Sequence, residues 1–227
     1  MVGGGPRLRP GLVTQAHHGT LFLDELAEFD RDVLDALRQP LEDGSVEIVR
    51  AHGSVRYPAR LQLIAAMNPC RCGWHGDPVR RCRCPSREPE RYMRRVSGPL
   101  LDRIDLRVIM PRVEPEQLVR AARPESSETV AGRIRAAWLL AHRRNTGRAN
   151  AALKGGQLLA MCSLDRAAQA TLTEVSTSLE LTARGVHRMM RVARTIADLR
   201  QLEAVGREEV LAAASMRDHS MEQGLAA

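Results

Sequence analysis

Residues 20–25 read TLFLDE. Thr20 to Leu23 are strand-like and mostly apolar, and they stop abruptly at two carboxylates, Asp24 and Glu25. This junction constrains the chain more than any other stretch, because an α/β sheet gathers its ligands where strands run out into loops. A strand running into Asp-Glu is the acidic half of a nucleotide-hydrolysing site, whose other half is a phosphate-binding loop ending in Gly-Lys-Ser/Thr. The 227 residues contain one lysine, Lys154, and it sits in ALKGGQ. No phosphate-binding loop can be written from them.

The opening MVGGGPRLRPG is rich in Gly and Pro and offers no helix or strand, so the chain reads as entering a domain at its middle. In FDRDVLDALRQPLED, Phe29, Val33, Leu37 and Leu41 recur at steps of four, which predicts one helix with Asp30 as its N-cap. SVEIVRAHGSVRYPA alternates Val46 and Ile48 against Glu47 and Val49 around a glycine and predicts a β-hairpin. RLQLIAAMN predicts a second buried strand ending at Asn68, and the Pro-, Gly- and Cys-rich stretch after it an irregular loop. SGPLLDRIDLRVIMP predicts a helical turn and a third strand, Leu106 to Met110. Past Pro111 the periodicity becomes helical, with stripes at Val130, Ile134, Trp138 and Ala141, and at Val186, Met189, Ala193 and Ile196. Ser163 and Thr182 are the candidate N-caps there.

The core has to be built from Leu, Val, Ala, Ile and Met, since aromatic residues are 3% against 44% hydrophobic overall. A net charge of +7 suits a polyanionic partner such as nucleic acid, although an arginine-dominated excess is also what a GC-rich genome writes. No run approaches 18 apolar residues and the N-terminus has no signal-peptide pattern, so a cytoplasmic protein without membrane contact is expected. In a reducing compartment the five cysteines are free thiols or metal ligands rather than a disulfide framework.

Phosphoryl-transfer chemistry assigns roles to these polar groups. Asp24 would hold Mg²⁺ through water, a hard cation on carboxylate oxygen. Glu25, pointing the other way in strand geometry, would orient the attacking water. Asn68 would hydrogen-bond that water or the γ-phosphate, and arginines would neutralise the developing charge. Cys70, Cys72, Cys82 and Cys84 form two C-x-C pairs nine residues apart. They stand evenly between a four-thiolate Zn²⁺ site and reduced thiols in a basic loop, C-x-C being tighter than the usual C-x₂-C. His75 ranks below the cysteines as a ligand, and Cys162 reads as a small core residue.

Taken in order, GGGPRLRPG, AHHGTLFLDEL, LRQPLEDG, IAAMNPCRCG, SGPLLDRIDL and ARGVHRMMRVARTIADL resemble the Mg-chelatase-like AAA+ ATPases of the ComM/YifB family over nearly the whole chain. The resemblance implies a partial AAA+ P-loop-type α/β core lacking its Walker A part (residues 1–113), followed by an all-helical C-terminal lid (114–227). It implies ATP and Mg²⁺ as cofactors and assigns Asp24 and Glu25 to Walker B, Asn68 to sensor 1, Arg103 to the arginine finger and Arg184 to sensor 2. It puts Arg50 and His52 at the tip of a pore hairpin that would touch DNA backbone, a solvated tip being the equal alternative. In full length such a protein would be a homo-hexameric DNA motor for branch migration or recombination in DNA uptake. Without Walker A, this chain alone is expected to turn over no ATP. A magnesium chelatase ATPase subunit and a non-catalytic DNA-binding remnant are the competing readings, the paired cysteines speaking against the first.

Overall fold

A computed structural model of the chain describes residues 1–5, 7–51, 53–115 and 125–217. It is a mixed α/β structure with a helical C-terminal region, and it divides into two compact units that part at Ile104 and Asp105.

The first unit opens on a miniature hairpin, β1 (Gly3–Gly4) against β2 (Arg9–Pro10), where the sequence suggests only loop. Glycine makes the pairing feasible: Gly3 has φ +107°, and a Cβ there would collide with the Arg9 carbonyl oxygen. After α1 (Leu12–Gln15) comes β3 (Thr20–Leu23), the predicted strand, with Leu21 and Leu23 buried. The helix expected over residues 29–43 is two short ones, α2 (Arg31–Asp35) and α3 (Arg38–Asp43). Pro40 accounts for the break, because it has no N–H to donate back and its ring crowds the preceding turn. Leu34, Leu37 and Pro40 are the buried residues of this stretch, with Phe29 and Leu41 packed at the margin.

The hairpin forms as predicted, β4 (Ser45–Arg50) against β5 (Gly53–Pro58) in register Ser45↔Pro58 to Arg50↔Gly53. Val46 and Ile48 face the core. β6 (Gln62–Ala65) pairs parallel with β3, from Thr20↔Gln62 to Leu23↔Ala65. It is not the fully buried strand expected. Phe22 and Ile64, partners in the ladder, are 59% and 44% exposed, and β6 has no second neighbour among the described residues. Only one face of this parallel pair is covered, whereas parallel sheets are ordinarily covered on both. A long irregular segment then leads to α4 (Glu88–Met93) and α5 (Gly98–Leu101), which close the core through Tyr92, Val96 and Leu100.

The second unit begins with a segment that corrects another expectation. Leu106 to Met110 is not a strand: Val108 is 68% and Met110 83% exposed, and the segment joins no sheet among the described residues. Its apolar alternation needs a neighbour to become a ladder. The helices are α6 (Ser127–Arg144), α7 (Gly155–Cys162), α8 (Arg166–Ser178), α9 (Ala183–Leu199) and α10 (Arg207–Ser215). Their core is of small and flexible side chains, including Ala168, Met189, Ala193, Ala197, Val210 and Ala213. The α9 stripe is as predicted, and the Thr182 hydroxyl caps it by accepting from Gly185 N. On α6 the buried residues are Ala137 and Ala141, while Ile134 and Trp138 stay half exposed. Ser163 is not an N-cap; it ends α7 in a left-handed conformation, and Asp165 caps α8 through Ala168 N. Among the described residues no helix is long and apolar enough to cross a membrane.

Candidate functional site

Hydrogen bonding between β3 and β6 extends beyond the last strand residues and sets the position of the acids. Ala66 N donates to Leu23 O at 2.9 Å and Leu26 N to Ala66 O at 2.8 Å, so Asp24 and Glu25 lie beside the exit of β6. The turn is sharp. Glu25 sits at φ 50°, ψ 48°, a left-handed conformation that costs a residue other than glycine about 1 kcal/mol or more. The expectation that strand alternation aims Glu25 away from Asp24 is therefore corrected: the turn sets its direction. The Asp24 carboxylate accepts the Glu25 N–H at 2.9 Å, and both acids are exposed. Asn68, also exposed, lies three residues beyond β6 rather than at its last position. Two carboxylates and an amide thus share one end of a parallel pair, where they can bind a hydrated cation and orient water.

Three residues behind this end carry no signal in the sequence. Tyr92 is buried, and its phenol is held above the ordinary tyrosine range by burial and by the nearby carboxylates of Glu28 and Glu25. Glu28 in turn pairs with Arg95 at 3.0 Å. Glu28 and Arg95 are 67 residues apart in sequence, and only tertiary packing brings the three together.

The basic candidates are placed differently. Arg103 lies over α3, its Nε 3.2 Å from Glu42 and its Nη1 donating to Pro99 O at 2.7 Å. The acid that meets it is Glu42, rather than the adjacent Asp102 or Asp105. Asp35, Glu42, Asp43 and Glu47 line the same open depression of about 520 Å³. Arg184 is exposed in the first turn of α9, in the second unit. Arg50 closes β4 at the hairpin tip, exposed, with its Nη1 donating to Val49 O and its guanidinium against Gly4. His52 lies outside the described residues. In the irregular segment and the helix after it, Arg81, Arg83, Arg87 and Arg91 are exposed, and Arg80 stacks over Trp74 at 4.3 Å.

The same segment gathers four thiols. The Sγ atoms of Cys70, Cys72, Cys82 and Cys84 all lie within 4.8 Å of one another, with Cys70–Cys72 at 3.4 Å, Cys72–Cys82 at 3.5 Å and Cys70–Cys82 at 3.7 Å. The backbone N–H of Arg83, then that of Trp74, pulls the Cys72 thiol down to about 6. His75 is not in the group. Cys162 is buried against Met190, and burial pushes its thiol up to about 11, which leaves it an inert core residue.

Sequence comparison bears on the whole chain. The family profile described as magnesium chelatase, subunit ChlI, matches residues 1–118, and that of the subunit ChlI C-terminal region matches residues 124–217. A YifB protein of Salmonella typhimurium is 41% identical over 96% of this chain and 42% of its own length. The competence protein ComM of Haemophilus influenzae is 40% identical over 88% of this chain and 39% of its own. The magnesium-chelatase 38 kDa subunit of Chlorobaculum parvum is 33% identical over 30% of this chain and 20% of its own. The chain spans about two fifths of the length of the YifB and ComM relatives. Two family profiles that together run almost end to end, and relatives at this identity, leave one assignment: the chain belongs to the magnesium chelatase ChlI-like family, in its ComM/YifB group.

Proposed function

We propose that this chain supplies the Walker B, sensor and lid part of an ATP- and Mg²⁺-dependent AAA+ motor. The observation that carries the reading is the strained turn at Glu25: a glutamate held left-handed beside Asp24, at the strand end that also carries Asn68. Strain of this kind persists where the surrounding structure over-determines it, and it clusters at active sites. In this reading Asp24 holds hydrated Mg²⁺, Glu25 orients the attacking water and Asn68 hydrogen-bonds the γ-phosphate side of the site. Arg103, released from Glu42, and Arg184 act on phosphate charge as finger and lid arginines. The edge of β6 that is unpaired among the described residues and the exposed Phe22–Ile64 face support a further sheet strand, the one that would bring Walker A.

The 227-residue chain by itself is expected to hydrolyse no ATP, since nothing in its sequence supplies a grip on the β- and γ-phosphates. A phosphate-release assay on the purified chain tests this. Turnover that disappears in Glu25→Gln would overturn it.

The assembly is proposed to be a homo-hexamer that works on DNA in the cytoplasm, in recombination during DNA uptake. The hairpin tip at Arg50 and the arginine-rich 80–91 segment are the contact surface, and phosphate contacts of this kind are blind to base sequence and sensitive to salt. Replacing Arg50, Arg81 and Arg83 with Ala should flatten the log–log dependence of DNA affinity on salt by about one unit per lost contact. Titrations at several salt concentrations check it; an unchanged slope would exclude this surface. The magnesium chelatase alternative is disfavoured by the cysteine cluster, a feature that metal insertion into a tetrapyrrole does not call for.

A further inference from the structure

The irregular segment between β6 and α4 raises a question of stability. From Asn68 to Arg87 no residue belongs to the hydrophobic core of the first unit, whose buried members run to Ala59 and resume at Tyr92, with Leu61, Leu63 and Met67 packed at its margin. Val79, the largest aliphatic residue within it, is 65% exposed. The segment is nevertheless folded back tightly on itself. Gly73 N donates to Cys70 O at 3.0 Å, and the Asp77 carboxylate accepts from Val79 N at 2.8 Å and Arg80 N at 2.6 Å. Gly73 and Gly76 take φ near +80°, which permits the reversal between the two cysteine pairs. Local hydrogen bonds in an exposed segment are each worth only about 1 kcal/mol and do not hold a loop without core contacts.

The thiols supply what the apolar residues do not. We propose that Cys70, Cys72, Cys82 and Cys84 form a tetrathiolate zinc site that staples this segment and fixes Asn68 two residues away. A tetrahedral ion with Zn–S near 2.3 Å places its sulfurs about 3.8 Å apart. The Sγ separations of 3.4, 3.5 and 3.7 Å fall close to that spacing, well beyond a disulfide bond of about 2.05 Å. Four thiols converging with Cys70 fully buried have little reason to do so as neutral groups, since S–H is a weak donor. The outer contacts fit a thiolate site as well. Arg83 N donates to Cys72 Sγ at 3.4 Å, and Arg71, Arg80, Arg81 and Arg83 flank in sequence a cluster that would carry two net negative charges when loaded. The tight C-x-C spacing is met by the turn at Cys70–Gly73, which swings Cys72 back to its neighbour.

The 227-residue chain, purified reduced and without chelator, should carry one zinc per chain by elemental analysis. After stripping, it should take up one equivalent of Co²⁺ and develop the intense visible absorption and thiolate-to-metal charge-transfer bands of a tetrahedral four-sulfur site. Removing zinc should also open the segment to trypsin at Arg80, Arg81 and Arg83. Cys84→Ser should shift the cobalt spectrum to that of a three-sulfur site, and Cys162→Ser should leave it unchanged. A serine variant can simply unfold, so the cobalt spectrum of the unaltered chain is decisive. Background zinc with no thiolate charge-transfer bands overturns the proposal, and so does a stable disulfide within the four at saturating zinc.

Discussion

In the motor proposed above, Glu25→Gln should lower ATP turnover by about 10²–10⁴-fold once a segment carrying a phosphate-binding loop completes the site. Glutamine keeps the shape and the hydrogen-bonding reach of the side chain and removes only the charge proposed to polarise water. Nucleotide binding should therefore survive while hydrolysis does not. The left-handed backbone at residue 25 allows a second variant to separate chemistry from folding. Glu25→Gly suits that conformation, so it should match or exceed the parent chain in thermal stability and be as inactive as the glutamine variant. A strained residue kept only for packing would behave otherwise: glycine would leave turnover intact. Steady-state phosphate release and a binding titration with a fluorescent ATP analogue, run on both variants, read the outcome. Normal turnover in Glu25→Gln would remove the water-orienting role.

How much of this is legible in the sequence depends on how local the information is. The β3 strand, the hairpin at residues 45–58 and the α9 stripe are each written in a short periodic run, and each forms where the pattern puts it. Elements that depend on a neighbour are misread. The segment 106–110 has the pattern of a strand but joins no sheet among the described residues, and β6 has the residues of a buried strand but an open face. Periodicity cannot say whether the rest of a sheet is present. Pro40 is a local signal that outweighs the four-residue spacing around it, and it splits the predicted helix. In the candidate site, Asp24, Glu25 and Asn68 are readable because strand ends announce them. The Tyr92–Glu28–Arg95 support is not, since it joins residues far apart in sequence. Arg103 is readable as an arginine of interest, but its partner Glu42 lies on α3, far from it in sequence, and no periodicity pairs the two.

Replacing Asp198 with Asn should cost the helical unit about 3–5 kcal/mol, a large part of what holds a domain of this size together. Asp198 is almost fully buried near the end of α9 and is where the unit's polar contacts converge. Arg144 of α6 donates to both its oxygens, at 2.5 and 2.8 Å, Asn150 Nδ2 donates at 2.8 Å, and Arg194, fully buried one turn earlier, pairs with it at 3.1 Å. Arg194 also donates to the Glu203 and Leu202 carbonyls, at 2.8 and 2.5 Å, tying the chain that leaves α9 back onto it. Asparagine keeps the volume but leaves Arg194 as a buried cation whose remaining partners are carbonyls. Burial alone would raise the Asp198 pKa; the hydrogen bonds from Arg144 and Asn150 and the charge of Arg194 outweigh it and hold the carboxyl below its ordinary range. The sign of the pH dependence is set by that depression. A depressed carboxyl adds stability that is complete above its unfolded pKa of about 3.9 and is lost as pH falls through the lower folded value. Urea unfolding of the chain between neutral and strongly acid pH should show that loss in the parent, while the asparagine variant, already weakened, should lack this component. Equal acid sensitivity in the two would place the titrating group elsewhere. The double change Asp198→Leu with Arg194→Met should cost less than the sum of its parts, because it removes both charges rather than stranding one.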